Sequence, residues 1–484
     1  MEGLLTKKWQ ILIAVAIGTC MVPLNASIVN ISLPSITEFF QASVATSQWV
    51  LTAYLLMLLS LVLFFGRLGD FYGQEKLYMF GVLGFLTSSI LCSLAPSIFF
   101  LILFRALQGF AAAMMISVSI AIVRKAFTVG ELGKALGIYS MVIAAGLALG
   151  PAVGGLLQSL GNWELIFLIN IPLGIISLIV CYLILERNKG EQVKWDIKGT
   201  ILQFITLFTV VYELNLIQTK GIDFNSIIII LISIILFILF IKNENTVKNP
   251  LLNLSLFNNA KFSAYNLALL FNYISMYMVL FIMPFYLQKV LHLPLEYIGI
   301  LLTISPITMI FLTPLSGYLS DKFGSRYLAF TGSLIFAFAL FSMSQLTIFS
   351  DIYDIFWRFL LLGLGAAFFQ PPNNRSILAS ISIDQSGMVS SIIVTMRNLG
   401  MVFAVSLAGL ILYSTISNNA LESPLLFNLA AYDFTTGMHR IVIFGAFLSI
   451  LMALLSLIKI HNTNSIFDSF KKIIKKSLKK IKLK

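Results

Sequence analysis

The stretch VLFFGRLGDFYGQEKLY, Val62 to Tyr78, sets an Arg, an Asp and a Glu-Lys pair between two apolar runs. A second stretch, TPLSGYLSDKFGSRYLA, Thr313 to Ala329, repeats its skeleton: Gly66, Asp70 and Gly73 recur as Gly317, Asp321 and Gly324 at identical spacing. Glycine lets two backbones approach closely, and an Asp in such a turn can face a helix terminus or a basic side chain. A short charged turn is ordinary by itself. Its recurrence far along the chain points to a duplicated architecture.

The rest of the chain says what is duplicated. Of 484 residues, 59% are hydrophobic and 11% charged, too little charge to cover a soluble protein of this length. Apolar runs recur at the length that spans about 30 Å of hydrocarbon as helix. Fourteen can be read, at 10–31, 48–66, 77–95, 98–123, 135–158, 164–185, 199–217, 226–241, 264–288, 297–319, 327–346, 354–378, 388–412 and 440–460. The expected fold class is an all-α integral membrane protein. Lys7 and Lys8 before Ile11–Leu24 imitate a secretory signal, but no A-x-A-like site follows. That segment reads as a retained first span, which hides the sequons at Asn25 and Asn30 from glycosylation. Cys20, Cys92 and Cys181 lie inside apolar runs, and His292, His439 and His461 are scattered near segment ends. Neither a disulfide framework nor a metal site is expected, and no constellation suggests an enzyme.

Lys and Arg distribution orients the chain. Of the 32 such residues, Lys220, Lys289 and Arg440 fall on one side, and Arg105, Arg358 and Arg397 fall inside helices. All the others gather on the N-terminal side, so both termini are expected in the cytoplasm, at the cell membrane. The net charge of +12 is then a topology signal, with no nucleic-acid partner implied. The tail FDSFKKIIKKSLKKIKLK sets apolar residues at helical spacing against lysines. Such a helix lies on an anionic inner leaflet.

With the helices counted, the sequence resembles the major facilitator superfamily. GRLGDFYGQEK (Gly66–Lys76) is similar to its motif between helices 2 and 3, and Gly317–Arg326 to a second copy. FRALQGFAAA (Phe104–Ala113) resembles the fourth-helix motif, and GLALGPAVGG (Gly146–Gly155) the fifth-helix motif typical of antiporters. LNASIVNISLP (Leu24–Pro34) and GMVSSIIVTMRNLG (Gly387–Gly400) resemble signatures of the fourteen-helix drug:proton antiporter branch. The resemblance implies two six-helix bundles, at 1–198 and 246–462, with two inserted helices at 199–245 and the basic tail at 463–484. Such repeats rock to expose a midplane site to each side in turn. It further implies a conformational latch at Gly66, Arg67, Asp70, Gly73, Lys76, Gly317, Asp321, Gly324 and Arg326. Gly146, Gly150, Pro151, Gly154 and Gly155 would be a hinge and leak seal, beside the plain reading of tight packing between small residues.

A cation buried in hydrocarbon is costly and faces a cavity or a partner. Arg105 lies about 12 Å into helix 4 at 1.5 Å per residue, with Gln108 one turn on. Arg397 sits mid-helix, whereas Arg358 has Asp354 one turn before it and reads as structural. Proton-coupled members of the resembled branch commonly carry Asp where this chain has Asn25, which cannot titrate. Glu213, on the first inserted helix and outside both bundles, is the remaining acid at membrane depth. Asn25, Arg105, Gln108, Arg397 and Glu213 are therefore the candidate substrate and proton path. FNYISMYMVLFIMPFY (Phe271–Tyr286) offers a polarizable, adaptable surface. The function expected is a monomeric secondary transporter that exports amphipathic small molecules, needing no cofactor because the proton gradient drives it. Flipping of a lipid-linked precursor, or a non-transporting sensor on the same fold, are the alternatives.

Overall fold

A computed structural model describes residues 7–127, 129–185, 196–247, 250–251, 254–380, 386–415 and 431–458. Fourteen helices long and apolar enough to cross a membrane lie among them. They are α1 (Lys7–Phe39), α2 (Val44–Tyr72), α3 (Gln74–Ser93), α4 (Ile98–Ala126) and α5 (Val129–Leu160). After these come α6 (Leu165–Ile184, with a break at Ile169), α7 (Ile197–Lys220), α8 (Phe224–Thr246) and α9 (Ala260–Phe285). The last five are α10 (Leu295–Phe323), α11 (Ser325–Met343), α12 (Ile352–Ala379), α13 (Ser386–Tyr413) and α14 (Ala431–Ser456). A π-helical turn, Tyr286–Val290, continues α9.

The helix-to-helix packing is the duplication that the repeated motif announced. In the first half α1 packs on α4, α5 and α6, α2 on α4, and α3 on α4 and α6. In the second half α9 packs on α12, α13 and α14, α10 on α12, and α11 on α12 and α14. Each pair is the first-half pair advanced by eight helices. Contacts between the halves obey the same symmetry: α2 meets α13, α10 meets α5, and α1 meets α9.

The termini of α7 and α8 follow from local chemistry. Asp196 Oδ1 accepts from the Gly199 N–H at 2.8 Å and starts α7, satisfying a donor that a helix start leaves orphaned. Gly221 stops α7, and Asp223 then accepts from the Ser226 N–H at 2.7 Å to start α8. That backbone hydrogen bond holds the Asp223 carboxyl below its ordinary value. At the far end of the hairpin Asn243 Nδ2 donates to Asp196 Oδ2, tying α8 back to the start of α7.

Three expectations change. The charged stretch at Gly66–Lys76 is not a loop: α2 runs through it to Tyr72 and α3 resumes at Gln74, so the joint is Gly73 alone. Gly73 and its counterpart Gly324 have φ of 100° and 88°, where a side chain would clash with the backbone. Arg440 lies within α14, which begins well before the expected 440, because helix propensity is a weak constraint and charged residues of ordinary propensity do not end a helix. Finally, α7 stands outside the two six-helix bundles but is not isolated from them. It packs on α2 of the first half and α13 of the second, so Glu213 is buried at 2% exposure. The basic tail at 463–484 lies outside the described residues.

Candidate transport site

Arg105 is wholly buried. Its Nε donates to the Val50 carbonyl on α2 at 2.9 Å. Its Nη1 donates both to Asn25 Oδ1 on α1 and to Gln108 Oε1 one turn along α4. Gln108 Nε2 passes the network to Ser89 Oγ on α3 at 2.7 Å, and Asn170 Nδ2 on α6 reaches the same hydroxyl at 3.3 Å. The guanidinium lies 4.1 Å from the Tyr54 ring centroid, close enough for a cation–π contact. Five helices, α1, α2, α3, α4 and α6, thus share one network around this cation, and no carboxylate bonds to it among the described residues. The planar fork explains why Arg fits here: its donors satisfy three acceptors in fixed directions.

Arg397 stands across the interface, on α13. It is close enough to Tyr273 and Tyr277 of α9, and to Tyr139 of α5, to act on them electrostatically. Tyr54 is near enough to both Arg105 and Tyr277, and Tyr277 to Arg397, for each pair to interact electrostatically. Beside them Gln370 Nε2 donates to Asn272 Oδ1 at 2.9 Å. The centre is amide, phenol and guanidinium. Of the candidate path residues, Asn25, Arg105, Gln108 and Arg397 come together here, and Glu213 does not. Arg358 is bound by Asp354 at 3.1 Å and by the Ser342 carbonyl at 2.8 Å, consistent with a structural role.

The small residues of α5 divide into two sets. A Cβ at Gly146 would stand 2.6 Å from Cys20 Sγ, one at Gly150 would strike Ser27, and one at Gly154 would stand 2.7 Å from Ile31 Cγ2. All three therefore seat α5 on α1, inside the first half. Gly155 faces the other way: its Cβ would stand 2.5 Å from the Leu295 carbonyl oxygen and 3.1 Å from Gly299 Cα on α10. Gly299 returns the contact at 2.6 Å from the Pro151 carbonyl oxygen. Pro151, Ala152 and Gly155 of this motif lie against the second half.

The latch residues are less compactly arranged. Cβ atoms placed at Gly66 and Gly317 would meet nothing within 4 Å, so close backbone approach does not require glycine there. Glu75 pairs with Lys125 of α4 at 3.6 Å, while Lys76 is exposed. Arg326 donates through Nη2 to the Leu457 carbonyl beyond α14. The side chains of Arg67, Asp70 and Asp321 lie outside the described residues.

One cross-half cluster escaped the sequence reading. At the end opposite the N-terminus Lys289 Nζ pairs with Glu38, Gln288 Nε2 donates to Ser35 Oγ at 3.1 Å, and the Ala45 N–H donates to Tyr413 Oη at 2.9 Å. Glu38 and Lys289 stand 251 residues apart, the same offset that separates Gly66 from Gly317. The pair thus joins equivalent positions of the two repeats across their pseudo-two-fold axis. That shared offset was the available signal.

Two symmetric six-helix halves around a polar centre are the architecture of a secondary membrane transporter. The chain belongs to the Major Facilitator Superfamily, whose profile matches residues 15–260 and 265–482. It is similar to the riboflavin transporter RibZ of Clostridioides difficile, 34% identical over 400 residues, covering 81% of this chain and 86% of that one. It is also 30% identical over 422 residues to a tetracenomycin C resistance and export protein of Streptomyces glaucescens, covering 86% of this chain and 78% of the relative. Among solved structures, a bacterial homolog of the human lysosomal transporter Spinster, inward-facing and unoccupied, shares the fold with a TM-score of 0.70 at 17% identity, covering 94% and 97% of the two chains.

Proposed function

We propose that this protein is a proton-driven secondary transporter that exports amphipathic small molecules of neutral or anionic character by alternating access. The observation that carries the reading is Arg105, a fully buried cation held by amides and a carbonyl with no carboxylate bonded to it among the described residues. A centre of net positive charge repels lipophilic cations and accommodates solutes that bring acceptors or negative charge. Tyr54 and Tyr277 add flat faces for an aromatic solute. The clasp at Glu38 and Lys289 would close one end while the polar centre is reached from the other. The excess of basic residues at the terminus-bearing end supports a cytoplasmic location for both termini in the cell membrane.

A second reading is a flavin-class substrate. It is favoured by the similarity to RibZ and by the neutral amides and phenols around Arg105, which match a planar heterocycle rich in carbonyls. Inside-out vesicles with an imposed pH gradient test both readings, using riboflavin, an anionic fluorescein dye and cationic ethidium. Uptake of riboflavin or fluorescein that a protonophore abolishes is expected, with ethidium moved least. Arg105→Lys keeps the charge and loses the fork, so transport should fall about tenfold or more, the scale of one charge-assisted hydrogen bond. Preferential ethidium transport, or full activity in Arg105→Lys, would overturn the proposal.

A further inference from the structure

The helix pair inserted between the halves carries a buried carboxylate at membrane depth, Glu213, that the polar centre does not use. Glu213 is 2% exposed, and neither Oε1 nor Oε2 has a hydrogen-bond partner among the described residues. Burying an ionised carboxylate without a counter-charge is among the most costly arrangements in a protein interior. Its position is specific. α7 packs on α2 and on α13, the two helices that meet across the halves, and on its hairpin partner α8. The Trp49 ring of α2 stands 6.4 Å from Phe208 and 6.3 Å from Tyr212, fixing the face of α7 next to Glu213 against the first half. Thr206, two turns earlier on nearly the same line of the helix, is also buried, and its hydroxyl has no hydrogen-bond partner. Gln203, one turn earlier again, is buried with its Oε1 likewise unmatched. A polar stripe thus runs about 15 Å down α7 from Glu213, at 1.5 Å per residue, toward the terminus-bearing end.

We propose that Glu213 is a proton-binding site set at the α2–α7–α13 junction, which binds one proton when that junction closes and releases it when the junction opens. The proposal rests on the proton-coupled reading above and supplies the carboxylate that Asn25 cannot be. The step is a simple protonation: a proton from water adds to a carboxylate oxygen to give the neutral acid, and the reverse returns it. The closed junction favours the neutral acid, because among the described residues no cation is paired with Glu213. Parting α2 from α13 admits water, which solvates the carboxylate. Proton occupancy and the position of the halves are then thermodynamically linked. The other ionisable side chains on the helices packed against α7 are few. α2 offers Tyr54 between residues 44 and 66, α13 offers Arg397 and Tyr413, and α8 offers Lys242 and Glu244. The last two sit at the opposite end of the hairpin, where Asn243 binds Asp196.

The test reads the junction directly and needs no substrate. Ser35→Cys is introduced beside the clasp with Cys20, Cys92 and Cys181 replaced by Ala, and the full chain in liposomes is labelled with a membrane-impermeant maleimide at pH 6 and pH 8. The labelling rate is expected to rise with pH beyond the thiol's own response, by up to about tenfold per pH unit, the limit for one linked proton. Glu213→Gln, an isosteric neutral acid mimic, should remove that excess, and Glu213→Asp should restore it. The same thiol is read in every variant, so the comparison isolates Glu213. An excess that persists in Glu213→Gln, or that is absent from the parent chain, overturns the proposal. A parent chain that moves none of the three dyes yet shows the Glu213-dependent excess fails the substrate reading and leaves this site standing.

Discussion

Gly155→Ala should drive the closed end of the transporter open. The added methyl would stand 2.5 Å from the Leu295 carbonyl oxygen, nearly an ångström short of the 3.4 Å at which such contacts become ordinary. That acceptor is backbone in the first turn of α10, so it cannot swing aside as a side chain would. Overpacking by one methyl in a tight interface costs about 1–3 kcal/mol. The clash exists only while α5 and α10 are together, so the cost falls on the closed state alone. A differential of 1–3 kcal/mol shifts a two-state population about 5–150-fold. Maleimide labelling of Ser35→Cys, in the chain lacking its native cysteines, should therefore accelerate within that range when Gly155→Ala is added. Gly154→Ala is the matched control. Its methyl would stand 2.7 Å from Ile31 Cγ2 on α1, a contact inside one half that no rocking relieves. It should lower the thermal unfolding temperature and leave labelling unchanged. If Gly155→Ala protein of normal stability labels at the parent rate, the α5–α10 contact is not the one that separates, and the assignment of Gly155 to the seal is wrong.

Other perturbations give smaller or different readouts. Glu38→Gln removes the clasp ion pair, but the Glu38 side chain is 55% exposed, so about 0–1 kcal/mol is at stake. Labelling at Ser35→Cys should rise less than about fivefold, and high salt should raise it in the parent chain but not in the variant; a rise as large as that of Gly155→Ala would contradict the solvent-screened reading. Asn25→Asp sets a carboxylate against Arg105 Nη1 and cancels the uncompensated charge of the centre. Ethidium transport should then improve relative to the anionic dye in vesicles, and an unchanged ratio would place residue 25 off the path.

Much of this molecule could be read without coordinates. The count of fourteen spans and the duplicated motif at Gly66 and Gly317 follow from composition and spacing, because a bilayer permits few structures and each helix must supply its own length of apolar chain. The exceptional status of Arg105 was equally legible, since an Arg inside such a run is costly wherever it points. Which groups met it was not. Asn25, Gln108, Val50 and Tyr54 come from three helices, and no local pattern says that their side chains converge. The motif Gly146–Gly155 shows the same division. Its small residues announce close packing, yet the chain alone does not separate Gly154, which faces α1, from Gly155, which faces α10. Adjacent residues on a helix point about 100° apart, and their partners are chosen by how the two halves dock. Glu213 was visible as an intramembrane acid on an inserted helix. Its burial between α2 and α13 was decided only by tertiary packing, because an inserted hairpin is free in sequence to lie anywhere around the bundle until it finds a face to cover.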